Sequence, residues 1–308
     1  MITVQGISEH DNKFPIAITI GTFDGVHIGH RKILDRLISE SKLLGLKSMV
    51  LTFFPHPRMV LQKDAELKLL NTLEEKKQIL HALGLDYLLI HPFTKAFSRL
   101  TADEFVEDIL SRGLNTKRII IGYDHRFGRN RNADINDLKA FGKTFKFDVE
   151  EISAQEIDEV AVSSTKIRLA LEQGDIKTAN RYLGYAYMLS GIVTRGKGLG
   201  RQLHFPTANL AIPEPYKLIP KNGVYVVRAE IQQQQVYGMM NIGFNPTVAG
   251  TEKTIEIHFF GIDEDLYNRK LQIQILDRIR DEHRFESVEA LKKQLAKDKK
   301  TALSLLEK

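Results

Sequence analysis

The chain has 308 residues, 43% hydrophobic and 27% charged, which suits one large globular domain or two of ordinary size. It has no cysteine, which excludes disulfides, thiolate metal sites and a cysteine nucleophile and fits a reducing compartment. The 44 basic and 39 acidic residues are interspersed and leave +5, a mild excess that suits an enzyme handling phosphates better than a nucleic-acid binder.

The opening MITVQGISEHDNKF lacks the basic start and apolar core of a signal peptide, and no apolar run is long enough to span a bilayer. A soluble, cytoplasmic protein is the expectation. Up to about residue 150, β-rich runs at Pro15–Ile20, Lys47–Phe53, Tyr87–His91, Arg118–Ile121 and Phe145–Glu150 alternate with helical patterns. The helices are Arg31–Leu44, Leu73–Leu83, Ala102–Ser111 and Ile135–Phe141, the third preceded by a capping box, Thr101-x-x-Glu104. Such alternation predicts an α/β doubly wound parallel sheet with ligands at the carboxyl ends of its strands. Helices at Ser164–Glu172 and Ile176–Leu183 close this region, giving a first domain over 1–185 and a second over 186–308.

From about Tyr187 the period changes. Met188–Val193, Gly223–Glu230, Val236–Ile242, Thr254–Phe260 and Leu271–Ile275 read as strands, with a hairpin tip in the glutamines at 232–235. One helix, Ser287 to Glu307, ends the chain and carries the basic run Lys292–Lys300, read as a solvated face. A small antiparallel barrel or sandwich with a C-terminal helix is expected.

The stretch GTFDGVHIGH, 21–30, places two imidazoles at a strand-to-helix turn. Gly21 and Gly25 permit tight geometry, Gly29 permits close approach of a ligand, and Phe23 and Asp24 lie in the turn. Free N–H groups at a helix start favour an anion, so His27 and His30 on one side of that turn are placed to donate to phosphate oxygens. A zinc site lacks a third ligand at metal spacing, and GxGxxG is absent. An HxGH element after the first strand marks nucleotidylyltransferases. SSTKIR, 163–168, resembles their second phosphate-binding signature, with Ser164 and Thr165 at a helix start and Arg168 to neutralise charge; an ordinary Ser/Thr cap is the alternative. Two loops complete a pocket: TFFPHPR, with Pro55, His56 and Pro57, and GYDHRFGRNR, with Tyr123, Asp124, His125, Phe127 and Arg131.

In the second half, GIVTRGKGLGRQLHFPTANL, 191–210, nearly matches a P-loop but has Gly198 where Ser or Thr is required, and no helix follows. What remains is a basic glycine-rich loop (Gly196, Lys197, Gly198, Arg201) running into Pro206-Thr207-Ala208-Asn209. Thr207 and Asn209, two apart on extended chain, point the same way and offer oxygen ligands to magnesium or partners to phosphate. Glu256 in TIEIHFF is a candidate general base, its alternative being a surface charge. Arg278 and Glu282, in DRIRDEHRF, are candidates too, against a salt-bridged surface segment.

Together these residues resemble the bacterial bifunctional riboflavin kinase/FMN adenylyltransferases, or FAD synthetases. The resemblance covers nearly the whole chain: GTFDGVHIGH, TFFPHP, GYDHRFGRNR and SSTKIR, then GRQLHFPTANL, GVY at 223–225, NIGFNPT at 241–247, IEIHFF, DLYNR at 265–269 and RIRDEHRF. It implies that the C-terminal domain is a six-stranded flavokinase barrel that phosphorylates riboflavin. Thr207 and Asn209 would then bind ATP and magnesium, Glu256 would be the base, and Arg278 and Glu282 would lie on the flavin side. The N-terminal domain would transfer AMP from ATP to FMN, with His27, His30, Ser164, Thr165 and Arg168 on the nucleotide and Pro55, His56, Pro57, Tyr123, Asp124, Phe127 and Arg131 on the flavin. The chain departs from the family where Gly commonly stands at His204, Phe at His125 and a glycine near Ala133. His204 is expected to narrow the kinase loop, and His125 to alter the flavin side of the transferase pocket.

Rival readings are a flavokinase with an idle or regulatory N-terminal domain, a basic nucleic-acid or flavin-sensing module, and a cytidylyltransferase, which explains only the first half. The expected partners are small molecules (ATP, riboflavin, FMN), with no nucleic acid, no membrane, and a monomer or weak homo-oligomer.

Overall fold

Short β-branched runs between amphipathic helices build a parallel sheet in the first half of the chain. Its strands are β1 (Ile2–Gln5), β2 (Ile16–Ile20), β3 (Lys47–Phe54), β4 (Tyr87–Pro92), β5 (Thr116–Gly122) and β6 (Asp148–Ile152), in the order β1-β4-β3-β2-β5-β6. All five residues of β2 are buried, the mark of a strand covered on both faces. The helices of this unit include α1 (Ile28–Leu43), α2 (Pro57–Leu61), α3 (Leu73–Ala82), α4 (Ala102–Glu104, continuing as a π-helical stretch Phe105–Gly113) and α5 (Ile135–Phe145). Ile16, Ile18, Met49, Leu51, Leu89, Phe105, Leu110, Ile119 and Phe127 share one core.

The computed structural model describes residues 1–62, 66–153, 162–196, 200, 203–247, 250–262 and 264–307. Two compact units emerge, Met1–Leu69 with Leu73–Ser163, and Leu70–Thr72 with Ser164–Lys308. Helices α6 (Ser164–Gln173) and α7 (Ile176–Leu183) therefore group with the second unit. The reason is local bonding: the Asn180 side chain donates to the Ile275 carbonyl at 2.9 Å and accepts from Tyr187 N–H at 2.7 Å. Lys177 pairs with Asp277 at 3.1 Å.

The rest of the second unit is a closed antiparallel barrel of β7 (Tyr187–Thr194), β8 (Ala208–Ala211), β9 (Gly223–Ile231), β10 (Gln234–Thr247), β11 (Gly250–Phe259) and β12 (Lys270–Arg280), in the order β10-β11-β8-β7-β12-β9. The expectation of barrel or sandwich resolves to a barrel. The β9–β10 hairpin turns at Gln232 and Gln233, both at positive φ (51° and 65°). Helix α8 (Val288–Leu306) is capped by Ser287, whose hydroxyl accepts from Ala290 N–H. It carries the basic run, but its Asp298 is 1% exposed and takes a forked bond from Arg280 on β12.

The departures from the sequence reading have physical causes. β1 and β8 are four residues each, too short to show a period. The strand expected from Phe145 begins at Asp148, because Leu138, Phe141 and Phe145 continue a helical stripe and α5 runs on until Lys146 turns left-handed at φ 59°. The capping box at Thr101 forms with both of its bonds, at 2.8 and 3.2 Å.

Candidate active sites

From β2 the chain winds to β3 and β4 on one side, then returns to β5 and β6 on the other. The carboxyl ends of β2 and β5 thus flank the crevice where such sheets bind ligands. GTFDGVHIGH leaves β2 there, and GYDHRFG leaves β5.

His27 is the N-cap of α1: its Nδ1 accepts from His30 N–H at 3.3 Å, and the two rings stack with centroids 3.7 Å apart. An accepting Nδ1 leaves the His27 proton on Nε2. Burial pushes the His27 imidazole down to about 4, against the pull of the Asp24 carboxylate. Burial, with charge at His27 and Lys76, holds His30 well below its ordinary value. Both rings are therefore neutral near pH 7, each with one N–H to give. The N-terminal end of α1 adds its own positive field, and Gly29 is buried in its first turn.

The turn before them is unusual. Phe23 (φ 44°), Gly25 (φ 87°) and Val26 (φ 36°) are all left-handed, and for β-branched Val26 this is a strained backbone. Of the two glycines expected to serve tight geometry, only Gly25 has positive φ. Gly21 serves by space, since a Cβ there would stand 3.1 Å from the Phe23 ring.

Lys76, which the sequence reading passed over, and Thr52, the first residue of TFFPHPR, complete the support. Lys76 on α3 is 6% exposed and donates from Nζ to the Thr22 carbonyl at 2.6 Å, and the Thr52 hydroxyl donates to the same oxygen at 3.2 Å. Burial lowers the Lys76 ammonium to about 8, with Asp24 opposing. A signal existed: Lys76 lies three and four residues before the buried Ile79 and Leu80, on the apolar stripe of its helix.

In the TFFPHP loop, His56 caps α2, accepting from Arg58 N–H at 3.2 Å, with Pro57 at the first helical position and a cis bond before Pro55. In the loop after β5, Tyr123 is 44% exposed and Asp124 and Arg131 are exposed, whereas Phe127 is buried against Phe105 and serves as an anchor. A chain of ring contacts, His125–Phe127–Phe105–Phe97–Phe53, joins the two loops. Burial lowers the His125 imidazole to about 4 against the nearby Asp124, and its Nε2 is buried with no hydrogen-bond partner among the described residues. Ser164, Thr165 and Arg168 open α6 in the second unit, with Thr165 exposed and the other two half-buried.

In the barrel, β8 and β11 pair with Asn209 opposite Glu256, and the Thr207 hydroxyl donates to Glu256 Oε2 at 3.5 Å. Hydroxyl, amide and carboxylate thus converge. His258, two residues along β11, holds the loop: its Nδ1 lies 2.9 Å from the Pro206 carbonyl, and its ring stands edge-on to Phe205. Beside Thr207 opens a cleft of about 220 Å³, lined by apolar side chains that include Val193, Ile257 and Phe259, by the Tyr267 ring, and by the carboxylates of Glu264 and Asp265. Gly196 packs against the Asn209 side chain, while Lys197, Gly198 and Arg201 lie outside the described residues.

His204 stands left-handed at φ 64°, so backbone geometry accounts for the glycine expected there. Glu282 accepts from Phe244 N–H at 3.1 Å and from Asn222 Nδ2 at 3.0 Å. Arg278 donates to the Asn222 carbonyl at 2.9 Å and to Asp281 at 2.7 Å. Both are already engaged in bracing the end of β12. No group of three or more His, Cys, Asp or Glu side chains gathers at metal distance among the described residues.

Comparison with known proteins agrees with this division. The family model for FAD synthetase matches residues 9–166, and that for riboflavin kinase matches 183–306. The bifunctional riboflavin kinase/FMN adenylyltransferase of Escherichia coli (strain K12) is 38% identical over 286 residues, covering 92% of this chain and 91% of the relative. That of Bacillus subtilis (strain 168) is 34% identical, covering 93% and 91%. A solved Streptococcus pneumoniae chain, named as a macrolide-efflux protein, superposes with a TM-score of 0.89 at 30% identity, covering 98% of this chain and 99% of that one. No helix among the described residues here is long and apolar enough to cross a membrane. By these matches over both halves, the chain belongs to the bifunctional riboflavin kinase/FMN adenylyltransferase family.

Proposed function

We infer that the chain makes FAD in two steps, phosphorylating riboflavin to FMN in its C-terminal half and transferring AMP from ATP to FMN, with release of pyrophosphate, in its N-terminal half. The carrying observation is that each family model matches its own half of one chain. This favours two working activities over a flavokinase with an idle N-terminal domain. We place the functional boundary near residue 185.

In adenylyl transfer, an FMN phosphate oxygen attacks the α-phosphorus of ATP as the bond to pyrophosphate breaks. No covalent enzyme intermediate is needed, so positioning and charge stabilisation carry the catalysis. His27 and His30 give their N–H groups to phosphate oxygens, helped by the field at the start of α1. Gly21, Phe23, Asp24 and Gly29 shape that cradle. On the flavin side stand Pro55, His56, Pro57, Tyr123, Asp124 and Arg131, with Phe127 fixing the loop from behind.

In the kinase step, Glu256 takes the proton of the riboflavin hydroxyl as the hydroxyl oxygen attacks the γ-phosphorus of ATP and the bond from that phosphorus to ADP breaks. The hydroxyl of Thr207 and the amide of Asn209 suit a hard cation, and with substrate phosphates they would hold Mg²⁺. Bound there, the ion would neutralise charge on the transferring phosphoryl group. The cleft beside Thr207 offers the adenine apolar side chains and the Tyr267 ring on one part of its wall and the Glu264 and Asp265 carboxylates on another, and the glycine-rich loop with Gly196, Lys197, Gly198, Arg201 and Pro206 covers the phosphates. Arg278 and Glu282 brace the flavin end. We place the protein in the cytoplasm, acting on small molecules without nucleic acid, as a monomer or weak homo-oligomer.

The test is a product assay with riboflavin, ATP and magnesium, repeated from FMN, with the flavins separated by chromatography. FAD from both reactions is expected. FMN accumulating without FAD would leave the first step alone and direct attention to His125, and no turnover of either flavin would end the enzyme reading.

A further inference from the structure

We propose that Lys76 is a positioning residue of the adenylyl-transfer site: its buried ammonium clamps the Thr22 carbonyl beneath the GTFDGVHIGH loop and adds to the charge that keeps the stacked His30 imidazole neutral. The inference rests on the reading of that loop as the transferase cradle.

Lys76 occupies a place where the packing of α3 asks for an apolar side chain, between a sheet and a helix whose neighbours Ile79 and Leu80 are buried. Burying an ammonium there is costly, and a methionine of similar length would fill the space without that cost. A neutral carbonyl at 2.6 Å and the Asp24 carboxylate in its field are what the cation has in return. A residue held against its own solvation in this way marks a site where the charge itself is used.

Its first use is geometric. The Thr22 carbonyl receives Lys76 Nζ from α3 and Thr52 Oγ1 from β3, so the peptide leaving Thr22 is pinned from two elements. The next residue, Phe23, is the first of the left-handed positions, and the strained Val26 leads directly into His27. Strained turns persist only where surrounding bonds over-determine them, and this clamp is such a bond. Its second use is electrostatic. The titratable groups felt at His30 are His27 on its own helix and Lys76 on α3, while Asp24 on the loop acts on both His27 and Lys76. Glu75, the neighbour of Lys76, is buried as well. Burial is the main reason that both rings stay neutral; at His30 the Lys76 charge adds to it, because protonating that ring would place a second cation in a closed space, and the neutral Nδ1 of His27 accepts from His30 N–H.

The experiment uses the full-length protein and the variants Lys76→Met, Lys76→Arg and His27→Ala. FAD formation from FMN is followed across pH, FMN formation from riboflavin serves as the check on folding, and thermal melting is recorded. For Lys76→Met we expect a kcat for FAD formation about 10- to 100-fold lower, as when supports of a site are removed. The KM for ATP should stay within about threefold, because this residue does not itself touch substrate, so the loss falls on reactive geometry and not on uniform binding. The acid limb of the profile should move to higher pH, since losing the cation beside Asp24 makes protonation of the imidazoles easier. Lys76→Arg should return the limb toward its native position. A Lys76→Met protein with native kcat and an unmoved acid limb, while His27→Ala is inactive in transfer, would overturn the role of Lys76 and leave the site reading intact. Native transfer in both variants would overturn the site reading and the inference with it. Loss of transfer with a lower melting temperature, whether or not FMN formation in the second unit survives, would make Lys76 a general support of the fold of the first unit and also overturn the proposal.

Discussion

Glu256 on β11 is the cross-strand partner of Asn209 on β8, and two residues before Asn209 the Thr207 hydroxyl donates to Glu256 Oε2 at 3.5 Å. This grouping of carboxylate, hydroxyl and amide is what carries our proposal of Glu256 as the kinase base. Glu256→Gln keeps the shape and removes the proposed base. FMN formation from riboflavin should fall by about 10²–10⁴-fold, whereas FAD formation from supplied FMN should hold. A variant that still makes FMN at the native rate would remove Glu256 from the chemistry.

His204 sits at φ 64°, a conformation costing an L-residue roughly 1–2 kcal/mol. His204→Gly should be tolerated, its relieved strain roughly offset by the entropy of a freer unfolded chain. His204→Val, β-branched, should be less stable than the glycine variant by about 1–2 kcal/mol. Thermal unfolding of the two side by side decides this, and equal melting temperatures would mean that the turn relaxes around the side chain.

The fork from Arg280 to Asp298 fastens α8 to the barrel, and the carboxylate is 1% exposed. Asp298→Ala strands a largely buried guanidinium and should cost about 3–5 kcal/mol, as breaking one partner of a buried pair does. Replacing both residues with apolar ones of similar volume should recover most of that loss in a denaturant titration. Gln294, which donates to the same carboxylate at 2.8 Å, would lose its acceptor in either variant.

Acid should weaken the first unit through its histidines. His27 and His125 are both held down to about 4 by burial, against an unfolded value of 6.5. Between those values the unfolded chain binds more protons than the folded one, so stability falls as the pH drops from about 6.5 toward 4 and is fully present above that window. Replacing His125 with Phe should flatten part of this slope, measured as denaturation midpoint against pH. A slope unchanged in that variant would show that His125 titrates normally.

The order of elements was legible in the sequence because each strong period maps onto one element. The alternation up to residue 150 specified a parallel sheet, and HxGH and PTAN lay beside the residues that position them. Local chemistry sufficed for the Thr101 box, whose bonds span three residues. Only the tertiary structure decided what depends on long separations. Lys76 reaches Thr22 across 54 residues; the apolar stripe of its helix signals that it is buried but not which group it meets. His258 reaches Pro206 across 52 residues, and Arg278 and Glu282, read as site residues, prove bonded to Asn222 some 60 residues earlier. Pattern reports which face of an element is apolar; which polar group is buried beside which other follows from the register of whole sheets, and that register is set by packing far from the residues concerned.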